Sequence, residues 1–167
     1  DSPEYDLLWR AAQDLEMPLS LHLATNRLGS GEGSGNRPGD RRFSILPNSD
    51  FFVSVSVADM ISVGVFERFP MLQVGAVEQQ LGWVPFFLDR MDYAYNQRGS
   101  GRQGYRFKED MLPNDFFHRN VFLGFQEDEL GIRLPDMIEV DSLQWGSDYP
   151  HMESTFHGSQ QILKEVL

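Results

Sequence analysis

The sequence predicts an α/β fold in which parallel strands are joined by helices. Three observations support this prediction. An amphipathic helix opens the chain, four short apolar segments with strand character follow it, and helix-like segments separate these strands. Alternation of this kind is typical of parallel strands with helical crossovers. Since 167 residues, 41% of them hydrophobic, suffice for one core, we expect a single domain over residues 1–167.

The first helix and strand set the pattern for the rest of the chain. Residues 1–17 are predicted to form the helix, with Ser2 as its N-cap, and Pro18 ends it. Residues 19–24 follow as a strand in which leucines alternate with a small or polar set that includes His22. Because successive side chains of a strand point to opposite faces, the leucines would pack under helices and His22 would face the other way.

Three more strands and four more helices are predicted along the chain. The strands are assigned to residues 71–78, 119–125 and 143–148, and the helices to residues 50–69, 82–97, 128–140 and 154–167. The third strand runs into Gln126, Glu127 and Asp128, and we interpret the two acids as a solvated helix N-terminus. Residues 25–47 and 96–114 are glycine-rich loops, and loops of this length are usually functional.

Metal-binding types of side chain stand at the ends of the predicted strands. His22 lies near the end of the first strand, Glu78 ends the second and Asp148 ends the fourth. Functional groups of parallel α/β folds gather at these carboxyl ends, so the three side chains are candidates for one site. Each of the three side chains also has a structural alternative. His22 suits a hydrogen-bonded core histidine, Glu78 suits a cap for the helix that starts near Gly82, and Asp148 suits a turn residue.

The amino-acid composition limits which metal ligands and which binding partners are expected. The chain has no cysteine, so a metal would need histidine, carboxylate or backbone oxygen ligands, which permits zinc, manganese or magnesium. A net charge of −11 disfavours nucleic acid and anionic membranes. The sequence has no apolar run of membrane-spanning length and no basic, apolar leader at its start, so we expect a cytoplasmic location. Both ends are expected to continue in a longer protein.

The sequence contains no motif that indicates a nucleotide-binding site or a nucleophilic serine. Residues 99–104 match G-x-G-x-x-G, but they follow a predicted helix rather than a strand, which indicates a loop instead of a dinucleotide site. No P-loop and no G-x-S-x-G motif occurs. The candidate chemistry therefore rests on the strand-end residues.

Three segments resemble the amidohydrolase-related family that includes aminocarboxymuconate-semialdehyde decarboxylase and related aromatic-acid decarboxylases. They are PLSLHLAT, FERFPMLQVGAVEQQLGWVPFFLDRMD and, most specifically, LQWGSDYPHMEST. The resemblance implies that the α/β fold is the C-terminal portion of a (β/α)8 TIM barrel, with about four strand–helix units supplying strands five to eight. It also implies one divalent metal, zinc in the first place and manganese as a second choice.

Roles for single residues follow from the same resemblance. His22 matches the metal ligand on strand five, and Asp148 matches the strand-eight aspartate that binds metal or its water and moves protons. Glu78 stands where many members have histidine, so it is a candidate ligand, a base or a sign of different chemistry. His151 and Arg27 are candidate substrate contacts. The H-x-H pair of the family's first strand is absent from these 167 residues.

The resemblance implies a metal-dependent hydrolase or a non-oxidative decarboxylase. Its substrates would be small aromatic or unsaturated carboxylic acids, or cyclic esters, and the activity would belong to the full-length protein. The alternative is a catalytically incomplete half-barrel with a binding or scaffold role. Because half of a closed barrel leaves open strand edges, self-association into a homo-oligomer is also expected.

Overall fold

A parallel four-stranded sheet forms the centre of the described structure. The computed structural model describes residues 3–22, 50–98, 106–108, 110–134 and 136–166. Within these ranges the sheet has the order β1-β2-β3-β4, and each neighbouring pair is parallel. The strands are β1 (Leu19–His22), β2 (Val74–Val77), β3 (Val121–Phe125) and β4 (Leu143–Trp145). The prediction of an α/β fold with parallel strands is confirmed.

Helices connect the strands as crossovers. They are α1 (Asp6–Asp14), α2 (Phe51–Ser62), α3 (Val65–Arg68), α4 (Val84–Arg98), α5 (Pro113–Asn120), α6 (Glu129–Ile132) and α7 (Ser159–Val166). Short 3-10 turns lie at Pro3–Tyr5, Val140–Ser142 and Phe156–Gly158. In the described part of the chain, no helix has both the length and the apolar character needed to span a membrane.

The two faces of the sheet differ in burial. One face packs on the helices and contributes Val74, Ala76, Val121, Leu123 and Phe125 to the hydrophobic core. The opposite face carries the exposed side chains of Ser20, His22 and Gln144. The predicted alternation of the first strand is confirmed for its described residues 19–22, because the leucines are the more buried set.

The helix predicted for residues 50–69 is two helices. Gly64 adopts the left-handed conformation, with φ of 71°, between α2 and α3. A left-handed residue reverses the local helix path, and glycine adopts this conformation without a Cβ penalty. Arg68 closes the junction by donating to the carbonyl of Val63 at 2.7 Å. The proposed cap Asp50 makes no side-chain cap bond, and Ser49 lies outside the described residues.

The prediction missed α5, because residues 113–114 were assigned to the preceding loop, residues 119–120 to the third strand, and the residues between them to no element. Pro113 occupies the first helical turn, and the Asp115 carboxylate accepts from the amide of Leu112 at 2.7 Å. Both features favour a helix N-terminus. Phe116 and Phe117 are buried on the core side of this helix. As a result β3 begins two residues later than predicted.

Asp128 lies at a helix N-terminus, as predicted, and also has a structural role that was not predicted. The helix expected for residues 128–140 is reduced to the single turn of α6, which Asp128 caps by accepting from the Gly131 amide at 2.8 Å. The same carboxylate accepts from the amides of Leu81 at 2.6 Å and Gly82 at 2.8 Å. The interpretation as a solvated acid is therefore wrong for Asp128, since this side chain joins two segments. The amide of Gly82 is thus satisfied by Asp128.

Other predicted boundaries also shift. The second strand ends at Val77 and the fourth at Trp145, so both predicted strands were too long at their carboxyl ends. The last helix begins at Ser159 after a 3-10 turn. The shortened strand ends matter for function, because Glu78 and Asp148 lie in the loops just beyond the strands.

Asp92 gives the fold a pH dependence. Burial between α4 and α5 raises the pKa of Asp92, and the charges of Asp115 and Asp89 add to this, whereas the Asn114 amide and His118 oppose it. A folded-state pKa above the unfolded one stabilises the fold at pH below the unfolded pKa, about 3.9, and this contribution is lost as pH rises through the folded pKa.

We therefore expect Asp92→Asn to raise the melting temperature of the full-length protein at pH 7. Asparagine keeps an oxygen that can accept from Asn114, a bond of 3.1 Å in the native protein, but carries no charge to desolvate. The gain should vanish near pH 3. Thermal unfolding at both pH values measures it, with the exposed Asp110→Asn as control. An equal gain at both pH values would contradict the electrostatic cause.

Candidate metal centre

The strand-end residues lie around one cavity at the carboxyl edge of the sheet. His22 is the last residue of β1, Glu78 directly follows β2, and Asp148 lies three residues beyond β4. All three line a cavity of about 250 Å³. Because parallel strands place their carboxyl ends at a single edge, residues far apart in sequence meet there.

Two close pairs of side chains organise this edge. His22 Nε2 lies 2.6 Å from Glu78 Oε2, a distance typical of a short, charge-assisted hydrogen bond. His151 Nδ1 lies 3.2 Å from Asp148 Oδ2. Glu78 is the most enclosed of the four, with 19% of its side chain exposed, against 46% for His22.

Glu78, Asp148 and His151 form the group with the geometry of a metal site. Each offers one ligand atom, and these atoms all lie within 4.8 Å of one another. Two carboxylates and an imidazole are a ligand set that suits zinc or manganese. The residues present therefore fit a divalent cation.

The backbone is strained at both carboxylates. Glu78 has φ of 61° and Asp148 has φ of 55°, both in the left-handed region. Non-glycine residues reach this region at a cost of about 1–2 kcal/mol each. Strain of this kind collects at functional sites, where it aims a side chain in a direction that a regular strand end would not allow.

The remaining walls of the cavity combine aromatic and amide groups. Phe125, Gln126, Gln144 and Trp145 line it together with the carboxylates. Trp145 is fixed by its Nε1, which donates to the carbonyl of Gln126 at 3.0 Å. A Cβ on Gly124 would lie 3.2 Å from the Cα of Val77 in β2, so the close approach of these two strands favours glycine at this position.

Gln126 is a candidate functional residue that the sequence analysis did not select. Its side-chain Nε2 is buried and has no hydrogen-bond partner within the described residues. A buried donor without a partner costs free energy, and a bound oxygen atom would relieve that cost. The available signal was positional, because Gln126 follows β3 as Glu78 follows β2.

Several predicted features lie outside the described residues. Arg27 is one of them, together with the rest of the glycine-rich loop at 25–47 and the G-x-G-x-x-G segment at 99–104. Glu127 is described and exposed, and it does not line the cavity. The structure therefore brings together His22, Glu78, Asp148 and His151.

Several solved structures have a fold similar to that of this chain. No protein-family model matches the sequence. An amidohydrolase from Mycobacterium avium subsp. paratuberculosis K-10 is 24% identical over 98% of this chain and 41% of its own, with a TM-score of 0.70. The 5-carboxyvanillate decarboxylase from Sphingomonas paucimobilis is 23% identical over 68% of this chain and 33% of its own, with a TM-score of 0.57.

A third structure carries a metal. It is a dihydroxybenzoic acid decarboxylase from Polaromonas sp. JS666 with bound manganese and the inhibitor 2-nitroresorcinol. It is 14% identical over 99% of this chain and 48% of its own, with a TM-score of 0.63. The chain thus spans less than half the length of each of these three structures. By its fold, the chain resembles part of the α/β architecture of amidohydrolase-family proteins.

Proposed function

We propose that the full-length protein is a metal-dependent enzyme of the amidohydrolase type. It decarboxylates or hydrolyses small aromatic or unsaturated carboxylic acids, or hydrolyses cyclic esters. The observation that carries the proposal is the convergence of Glu78, Asp148 and His151 ligand atoms within 4.8 Å at the carboxyl edge of a parallel sheet. Neighbours that include two aromatic-acid decarboxylases support the substrate class.

The four described strands are proposed to be strands five to eight of a (β/α)8 barrel. Strands β1 and β4 are the edges of the described sheet. One face of that sheet exposes Ser20, His22 and Gln144 instead of packing them under helices. Four further strand–helix units would pair both edges and enclose this face, which would then line the barrel interior.

The proposed metal site comprises His22, Glu78 and Asp148, with His151 beside Asp148, and zinc or manganese suits ligands of these kinds. When bound, such a metal supplies Lewis acidity towards a substrate oxygen. Asp148 is the proposed proton-transfer group, since its side chain is 30% exposed and reaches the cavity. In hydrolysis its carboxylate takes a proton from the attacking water. In decarboxylation it gives a proton to the substrate carbon, which keeps the electron pair when carbon dioxide leaves.

The remaining lining residues are proposed to bind the substrate. The half-buried Trp145 offers apolar area to an aromatic ring. The free Nε2 of Gln126 would donate to a carboxylate or phenolic oxygen of that ring. Arg27 remains a proposed partner for the substrate carboxylate.

A binding or scaffold role is the second candidate function. Its support is the sheet face that exposes Ser20, His22 and Gln144 in the described part of the chain. A half-barrel of this kind would use the open face for association and would need no metal.

Metal content of the full-length protein separates these functions. We expect about one zinc or manganese ion per chain in the wild type, as in single-metal catalytic sites. Glu78→Ala and Asp148→Ala should lose most of it, because each removes a carboxylate of the converging group. Glu127→Ala is the matched control, since this acid is exposed and lies outside the cavity. Elemental analysis measures all four proteins.

A wild type that holds no metal and takes up neither zinc nor manganese would refute the enzyme proposal and favour the scaffold role. If metal is present, a screen of hydroxylated benzoic acids and lactones follows. Release of carbon dioxide indicates decarboxylation, and ring opening of a lactone indicates hydrolysis.

A further inference from the structure

We infer that Gln126 is a specificity-determining residue, whose side-chain amide binds an uncharged oxygen of the substrate such as a ring hydroxyl. This inference rests on the proposed function and narrows it, because a carboxylate and a hydroxyl could both accept from an amide. Three features favour the hydroxyl: the position of the side chain, the fixation of its backbone and the charges around the cavity.

Gln126 occupies the strand-end position between the two carboxylates. It directly follows β3, whereas Glu78 follows β2 and Asp148 lies beyond β4. The strand order places β3 between β2 and β4, and all three side chains belong to residues that line the same cavity. A substrate bound between the carboxylates therefore lies within reach of the Gln126 amide.

The Gln126 side chain carries a buried donor. Its Nε2 has no hydrogen-bond partner within the described residues, and an amide nitrogen only donates. The cost of burying this donor exists before a substrate binds. A substrate oxygen that accepts from Nε2 recovers that cost, whereas an analogue without the oxygen does not, so the site discriminates between the two.

The backbone that carries this donor is fixed from both sides. The Gln126 amide donates to Gln80 Oε1 at 3.4 Å, and the Gln126 carbonyl accepts from Trp145 Nε1 at 3.0 Å. Two residues further on, Asp128 accepts from the Leu81 amide at 2.6 Å. A donor on a backbone held at these points loses little freedom when it binds a ligand. Since Trp145 also lines the cavity, its ring surface and the Gln126 donor belong to one hydrogen-bonded unit.

The charges around the cavity favour an uncharged acceptor. Glu78 and Asp148 are acidic, and no lysine or arginine is among the described residues that line the cavity. A substrate carboxylate beside Gln126 would face these acids with only a neutral donor to compensate it. The exposed Gln144 adds a second neutral amide to the same cavity. A hydroxyl suits this pair, because it can accept from one amide and donate to the other.

Binding of benzoate and its three monohydroxy isomers to the metal-loaded full-length protein tests the inference. We expect at least one isomer to bind the wild type about 10–100-fold more tightly than benzoate does. Gln126→Met, which keeps the side-chain length without the donor, should abolish this preference and change benzoate affinity little. Gln126→Glu should weaken all four acids by charge repulsion but keep the preference, because a phenolic hydroxyl can rotate and donate to the carboxylate. Calorimetric titration measures the dissociation constants.

The matched control is Gln160→Met, because Gln160 is an exposed glutamine of α7 outside the cavity, and it should keep the wild-type preference. Gln126→Asn withdraws the donor by one carbon atom and should also lose the preference, which keeps the test decisive if Gln126→Met does not fold.

Two results would overturn the inference and leave the proposed enzyme standing. One is a metal-loaded wild type that prefers no hydroxybenzoate, or whose preference survives in Gln126→Met. The other is an equal weakening of all four acids in Gln126→Met, which would assign Gln126 to the carboxylate that they share. A wild type that takes up no metal would instead refute the proposed function, and this inference with it.

Discussion

In the proposed metal-dependent enzyme, Asp148→Asn is expected to lower kcat by about 10²–10⁴-fold, the usual contribution of a positioned general acid or base. Asparagine matches the carboxylate in shape and keeps one oxygen for the metal, but it cannot take or give the proton. The left-handed backbone at this position also tolerates asparagine, since Asn is among the residues that adopt it most readily. The loss should therefore be in chemistry rather than in folding.

The measurement is the steady-state rate with the best substrate of the screen, beside metal content and melting temperature. The control is Asp141→Asn, an exposed acid in the 3-10 turn before β4. Substrate binding should change little, so KM should move far less than kcat. A metal-loaded Asp148→Asn enzyme with wild-type kcat would exclude Asp148 as the proton-transfer group.

That the strand-end residues meet at one cavity was predictable, because their meeting depends on topology alone. Once the strands are parallel, His22, Glu78 and Asp148 must come to one edge, whatever the details of packing. The alternation of leucines with Ser20 and His22 also fixed the exposed face of β1 correctly. Period-two burial is a local property of a strand, and a sequence displays it directly.

Features that depend on distant partners were not predictable from local patterns. The α2–α3 break requires the left-handed conformation of Gly64, and a glycine alone does not reveal which conformation it adopts. Asp128 was interpreted as solvated because its partners, the amides of Leu81 and Gly82, lie 47 and 46 residues away in sequence. The pairing of His151 with Asp148 required the turn geometry that follows β4.

Asp128 contributes both to the stability of the fold and to the position of Glu78 in the candidate site. Its carboxylate holds the segment that carries Glu78 into the cavity, because Leu81 and Gly82 follow Glu78 by three and four residues. It also holds α6, where Gly131 lies so close to Leu81 that a Cβ on this glycine would meet the Leu81 Cβ at 2.2 Å. One side chain thus fixes two segments against each other.

Asp128→Ala is expected to lower the free energy of unfolding of the full-length protein by about 3 kcal/mol. The change leaves three backbone amides without their acceptor, and each partly buried donor left unpaired costs about 1 kcal/mol or more. Those amides belong to Leu81, Gly82 and Gly131. Asp128→Asn should lose less, because its amide oxygen still accepts from at least one of them. Urea unfolding monitored by tryptophan fluorescence measures both variants.

The neighbouring Glu127→Ala is the matched control, since it removes an exposed carboxylate one residue away. Its free energy of unfolding should lie within about 0.5 kcal/mol of the wild type. An equal effect of both alanine variants would show that the three hydrogen bonds of Asp128 contribute no net stability. If Asp128→Ala is destabilised as expected, it should also bind metal more weakly, because the segment that aims Glu78 is then free to move. A loss of stability without a loss of metal affinity would mean that the backbone strain at Glu78 is maintained by the pair with His22 instead.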